Sequence, residues 1–136
     1  MRVLVAGATG VVGRQLAPQL LACGHQVIAT TTTASRCAAL REVGAVAVAM
    51  DGLDPCSVHD AATQARPGVA VQQMTGMAPA QARRPDVKHM KRWFAVTNRL
   101  RSEGTDHLLA AASCQEAPMW WHIVTRKGTG SVRAAG

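Results

Sequence analysis

The chain has 136 residues, 48% of them hydrophobic and 17% charged, which is ordinary for one globular domain with a modest core. No apolar run approaches the roughly 20 residues of a membrane helix, which excludes that class. The net charge of +7 is uneven: residues 1–68 carry +1 and residues 69–136 carry +6, so the basic character belongs to the second half.

Met1-Arg2-Val3-Leu4-Val5 leads straight into a strand-like run and lacks the order of a signal peptide, so the chain reads as cytoplasmic. The first strand spans Arg2 to Ala6, apolar as a buried parallel strand should be. A glycine loop follows, then a helix from Val11 to Cys23 with Val12, Leu16, Leu20 and Cys23 along one side and Gly24 as its stop. Gln26 to Thr30 forms the second strand. Ser35 is the N-cap of a helix over Arg36 to Val43, closed by Gly44. Ala45 to Met50 is the third strand. Asp54-Pro55 then opens a helix that runs to Ala65, with Asp as cap and Pro in the first helical position. Val69 to Gln73 is the fourth strand, and residues 75–85 form a loop. From Asp86 a helical period runs through Val87, Met90, Phe94, Thr97 and Leu100. Gly104 interrupts it, and Thr105 caps a continuation. Trp120 to Thr125 is a candidate fifth strand, and Lys127 to Gly136 reads as a frayed, basic end. Alternating strands and helices at this spacing predict an α/β, Rossmann-like doubly wound parallel sheet, incomplete at four to five strands.

Cys23, Cys37, Cys56 and Cys114 form no C-x-x-C pair, and no His or Cys lies at zinc-ligand spacing from another. They read as reduced thiols, with no metal site.

The chemistry concentrates in Gly7-Ala8-Thr9-Gly10-Val11-Val12-Gly13, which follows a strand and opens a helix. Gly7 permits the tight turn, Gly10 lets a pyrophosphate reach the backbone, and Gly13 lets the helix pack on the strand. Free N–H groups and the helix dipole favour the phosphate charge. An acid at the end of the second strand would hold the adenosine ribose of NAD. Here the segment reads Thr30-Thr31-Thr32-Thr33-Ala34-Ser35-Arg36. Thr32 and Arg36 can instead receive a 2′-phosphate, so the cofactor is NADP or NAD with a lean to NADP. After the third strand come Asp51 and Gly52. Asp51 either accepts from the adenine amino group or caps its loop. Met74 and Thr75, at the end of the fourth strand, line the cofactor cleft by position or are ordinary strand-end residues.

These residues resemble the N-terminal half of the short-chain dehydrogenase/reductase superfamily, in its extended or atypical NAD-dependent epimerase/dehydratase-like branch. The likeness runs from Val3 through Gly13, then Gly24-His25-Gln26-Val27, Asp51-Gly52-Leu53-Asp54-Pro55, Thr97-Asn98, and Gly104 to Ala112. It implies an NAD(P)-binding domain over 1–112 and a divergent segment over 113–136. Members of that superfamily carry a catalytic Tyr-x-x-x-Lys further along. This chain has no tyrosine, so no catalytic residue is assigned. The resemblance implies the cofactor-binding half of an oxidoreductase, truncated or frame-shifted after residue 112. The alternative is a non-catalytic NADP-sensing regulator. A third class, nucleic-acid binding through Arg83, Arg84, Lys88, Lys91, Arg92, Arg99 and Arg101, competes with a plain solvated helix face, which is favoured. The expected partner is thus a dinucleotide, with no membrane. Dimerisation could cover the open sheet edge.

Overall fold

The computed structural model describes residues 1–76, 91 and 94–114, together with the backbone of two later strands, 120–125 and 128–133. Its elements are β1 (Arg2–Ala6), α1 (Val11–Ala22), β2 (Gln26–Thr31), a 3-10 turn (Ala34–Arg36), α2 (Cys37–Glu42), β3 (Val46–Ala49), α3 (Pro55–Ala65), β4 (Val69–Gln72), α4 (Ala95–Ser113), β5 (Trp120–Thr125) and β6 (Gly128–Arg133). The strands form one sheet in the order β3-β2-β1-β4-β5-β6. The pairs β1–β2, β2–β3, β1–β4 and β4–β5 are parallel, as the alternating pattern predicts. One strand more is present than the sequence suggests. β6 pairs antiparallel with β5, Trp120 opposite Arg133 and Thr125 opposite Gly128, in a stretch where the sequence marks no element.

Both faces of the sheet are covered, which is why β1 reads as an unbroken apolar run. Leu4, Ala6 and Ile28 point to one side, where they pack with Val58, Ala61, Ala62, Leu108, Ala111 and Ala112 of α3 and α4. Val3, Val5, Val27 and Ala29 point to the other, against Ala17 of α1 and Leu40 of α2. Alanines dominate the α3–α4 contact, and short side chains let helix and sheet approach closely.

Some local expectations are corrected. Ser35 is not a helix cap: the 3-10 turn over Ala34–Arg36 runs into α2, and neither start has a side-chain cap. The buried side of α1 carries Gly13 and Ala17; of the expected stripe, Leu16 and Leu20 pack partly buried against the same cluster, while Val12 is 55% exposed and Cys23 is exposed. Gly104 does not break its helix. α4 runs continuously through it, and the Thr105 hydroxyl donates back to the Arg101 carbonyl at 2.7 Å instead of capping a new start. The expected helical period from Asp86 to Met90 lies outside the described residues. Asp54 caps α3 as predicted, its Oδ1 accepting from the Cys56 amide at 3.0 Å with Pro55 in the first turn. Gly24 and Gly44 follow α1 and α2 with φ of +81° and +92°.

β1 sits at the point where the chain changes direction across the sheet, with β2 on one side and β4 on the other. A crevice at the carboxyl ends of strands around such a point is where open α/β sheets take ligands. The segments that leave β1, β2, β3 and β4 there contain every predicted site residue.

Candidate functional site

The loop from Gly7 to Gly13 is tight because Gly7 and Gly13 have no room to be anything else. Gly7 has φ +86°, and a Cβ there would lie 2.8 Å from the Gln73 carbonyl carbon and oxygen. A Cβ on Gly13 would lie 2.6 Å from both the Ala8 Cα and the Gly7 carbonyl oxygen. Gly10 is different. It is the N-cap of α1 with ordinary extended backbone (φ −72°, ψ 173°), and its Cβ position meets only the Gly7 oxygen at 3.3 Å. Its lack of a side chain keeps the outer side of the loop low.

The hydrogen bonds of this loop can be accounted for donor by donor. Gly7 N–H donates to the Thr30 hydroxyl at 3.2 Å, Ala8 N–H to the Thr30 carbonyl at 3.0 Å, and Gly10 N–H to the Gly7 carbonyl at 3.1 Å. Among the described residues nothing accepts from the N–H groups of Thr9, Val11, Val12 or Gly13, and α1 has neither a side-chain cap nor an acid in its first turn. Four unpaired amide donors at the positive end of a helix are what an anionic oxygen cluster requires. A pyrophosphate fits this donor set.

Two residues outside the glycine pattern shape the loop. Thr30, 1% exposed, holds both its hydroxyl and its carbonyl against the start of the loop. Arg14 donates from Nε to the Thr9 carbonyl at 2.9 Å. In the sequence Thr30 is only one of four β-forming threonines, and the bond that matters spans 23 residues. The available signal for Arg14 is its place directly after Gly13.

The segment after β2 presents exposed Thr32 and Arg36. Thr31 is buried and uses its hydroxyl to accept from the Thr33 amide at 3.3 Å, which shapes the turn carrying Thr32. No carboxylate pairs with Arg36 among the described residues. After β3, Asp51 accepts the Leu53 N–H at 2.9 Å through Oδ1, while its own amide donates to the Ser57 hydroxyl at 3.0 Å. One carboxylate oxygen therefore organises the loop. Gly52 is buried, and a Cβ there would run into the Met74 sulfur. Its carbonyl accepts from His107 Nδ1 of α4 at 3.0 Å.

Met74 and Thr75 part company. The Met74 side chain is 7% exposed and packs in the core near Gly52 and Gly104, while its Cα backs onto Gly7. Its amide donates to the buried Gln72 side chain at 2.7 Å, and Gln72 in turn donates to the Leu100 carbonyl at 2.8 Å. Met74 thus supports the loop from beneath, and Thr75 is the exposed one. Among the described residues no group of His, Cys, Asp and Glu could hold a metal, and no helix is long and apolar enough to cross a membrane.

Residues 7–118 match the model of a family described as NAD(P)H-binding. Over 112 residues the chain is 46% identical to a 3-diazoavenalumate denitrifying reductase from a Streptomyces species, covering 82% of this chain and 34% of that protein. Among solved structures it resembles a Burkholderia cenocepacia protein assigned as an epimerase (28% identity, TM-score 0.62, 85% of this chain and 34% of the other). It also resembles the NAD complex of UDP-glucose 4-epimerase from Thermus thermophilus (25% identity, TM-score 0.61, 83% and 34%). The chain therefore spans about a third of the length of these relatives.

Proposed function

This chain belongs to the NAD(P)H-binding family, among the short-chain dehydrogenases/reductases and NAD-dependent epimerases, and from that premise we propose that it is the cofactor-binding segment of an oxidoreductase that uses NADP. The bound nicotinamide would supply hydride transfer. The chain's own part is to bind and orient the cofactor. The unpaired N–H groups of Thr9, Val11, Val12 and Gly13 take the pyrophosphate, and this donor set is the observation that carries the reading. Thr32 and Arg36 take the 2′-phosphate in place of the missing ribose-binding acid. Asp51 has one carboxylate oxygen committed to Leu53, which leaves the other for the adenine amino group.

A reductive role for the whole protein is supported by the 46% identity to a protein named as a reductase. The chain has no tyrosine to act as the family's general acid/base, so it carries no proton-transfer residue of that type.

Calorimetric titration of the folded chain with NADP and with NAD tests the proposal. NADP binding the tighter, by about tenfold for one charge-assisted contact, is the expected result. A cooperatively melting chain that binds neither dinucleotide overturns it.

A further inference from the structure

Arg14 stands where helix electrostatics disfavours it. It lies in the first turns of α1, whose amide end repels a cation, and no carboxylate pairs with it among the described residues. What it does have is a donor bond from Nε to the Thr9 carbonyl at 2.9 Å. The other end of that peptide unit, the Gly10 N–H, donates to the Gly7 carbonyl at 3.1 Å. The Thr9–Gly10 peptide plane is therefore held at both ends. On either side of it lie the unpaired N–H groups of Thr9 and Val11. Were the plane to turn over, the Thr9 oxygen would face the Gly7 carbonyl in place of the Gly10 N–H, and the repulsion between the two oxygens would open the turn and displace the donors on either side.

We infer that Arg14 is a positioning residue. Its Nε–H locks the Thr9–Gly10 peptide so that the unpaired N–H groups on either side of it stay aimed at one anion. This rests on the dinucleotide-phosphate reading above and adds that the donor, not the charge, is what Arg14 contributes. Side-chain lengths separate the two. In glutamine the Nε2 amide nitrogen is the fourth atom from the backbone, where arginine has Nε, so Arg14→Gln keeps a donor in place and drops the charge. In lysine that position is a methylene and the ammonium lies one atom further, so Arg14→Lys keeps the charge and moves the donor.

The test titrates NADP into the full chain and into Arg14→Gln, Arg14→Lys and Arg14→Ala. Thermal melts run alongside, and the hydrogen exchange of the Gly10 amide is followed by NMR without ligand. Arg14 is exposed, so the variants are expected to fold, and the Gln and Lys pair decides even if Ala melts early. The expected result is Gln within about twofold of the parent, with Lys and Ala weaker by about fivefold to tenfold. Gly10 exchange quickens in those two alone. Lysine binding as the parent does while glutamine falls with alanine overturns the inference, because the charge would then act on the ligand directly. Three variants that all bind like the parent overturn it too. Should the parent bind no dinucleotide, the functional reading falls. The exchange pattern then still decides: faster Gly10 exchange in Lys and Ala only supports the lock, and uniform exchange overturns it.

Discussion

Gly13 lies in the first turn of α1 and Gly24 just past its end, and a methyl group meets opposite surroundings at the two. At Gly13 the added carbon would press on backbone at 2.6 Å, and backbone cannot rotate away. At Gly24 it would meet nothing within 4 Å, and the cost is only that of a left-handed φ of +81°. Gly13→Ala should therefore destabilise by about 1–3 kcal/mol, as overpacking does, and also weaken dinucleotide binding. Gly24→Ala should cost about 1–2 kcal/mol and leave binding alone. Denaturant midpoints and titration of both variants check this, and equal binding by Gly13→Ala would count against the loop as the site. Specificity belongs to another residue. Arg36→Ala should remove most of any NADP preference, about tenfold, and leave NAD affinity unchanged. A parallel loss for both cofactors would mean that Arg36 supports the fold or a shared phosphate. The glycines are legible in the sequence because close backbone approach leaves no other residue type and imposes a fixed spacing. Thr30 is not, because its hydroxyl serves a loop 23 residues away that no local pattern reveals.

At the scale of elements, local signals succeed where local forces decide. Asp54-Pro55 marks the start of α3 because a carboxylate cap and a proline in the first turn act within three residues. Asp54→Ala should cost about 1 kcal/mol in a denaturant melt without changing dinucleotide affinity, since among the described residues its carboxylate serves the Cys56 amide alone. Local signals fail at Gly104. A glycine within a helix costs about 1 kcal/mol relative to alanine, and that penalty suggests a break. Packing outweighs the penalty: a Cβ there would lie 3.1 Å from the Met74 methyl and 3.3 Å from the Gly52 carbonyl oxygen, so the bare glycine lets α4 settle against the loop after β3. The buried face of α1 is only half legible for a related reason: Leu16 and Leu20 pack against the core as the stripe predicts, but the centre of the face does not show in the pattern. Its close contact with the sheet is made by Gly13 and Ala17, residues too small to register as an apolar stripe. α4 also carries an exposed ion pair, Arg99 to Glu103 at 2.9 Å. The Arg99 hydrogen bond holds the Glu103 carboxyl below its usual range. A lowered folded-state pKa contributes stability above the unfolded glutamate value, lost as pH falls through the folded one. Glu103→Gln should thus narrow the gap between melting temperatures at pH 7 and at pH 3, by a small amount that added salt removes.

For the whole molecule the question is whether bound phosphate reads a site or merely a charge. The chain carries +7, and +6 of it lies in residues 69–136, away from the glycine loop in sequence. Such a field attracts any polyanion, so stabilisation by NADP alone is ambiguous. Salt separates the two causes. Surface fields are screened over about 8 Å at 0.15 M ionic strength and about 3 Å at 1 M, whereas N–H groups in direct contact with phosphate oxygens are screened far less. A ligand that binds only the folded chain raises stability by about 2.7 kcal/mol at one hundred times its Kd. In a domain of this length that corresponds to a melting shift of about 10 °C. NADP, held at one hundred times the Kd measured at 0.15 M, should give this shift at 0.15 M and keep most of it at 1 M. Tripolyphosphate held at one fixed concentration should lose nearly all of its shift by 1 M, and Gly13→Ala should respond to both ligands as the parent does to tripolyphosphate. If NADP instead fades with salt as steeply as tripolyphosphate does, so that no measurable Kd remains at 1 M, the basic second half is the binding surface. The unpaired amides at the start of α1 would then be a feature of the fold and not of its function.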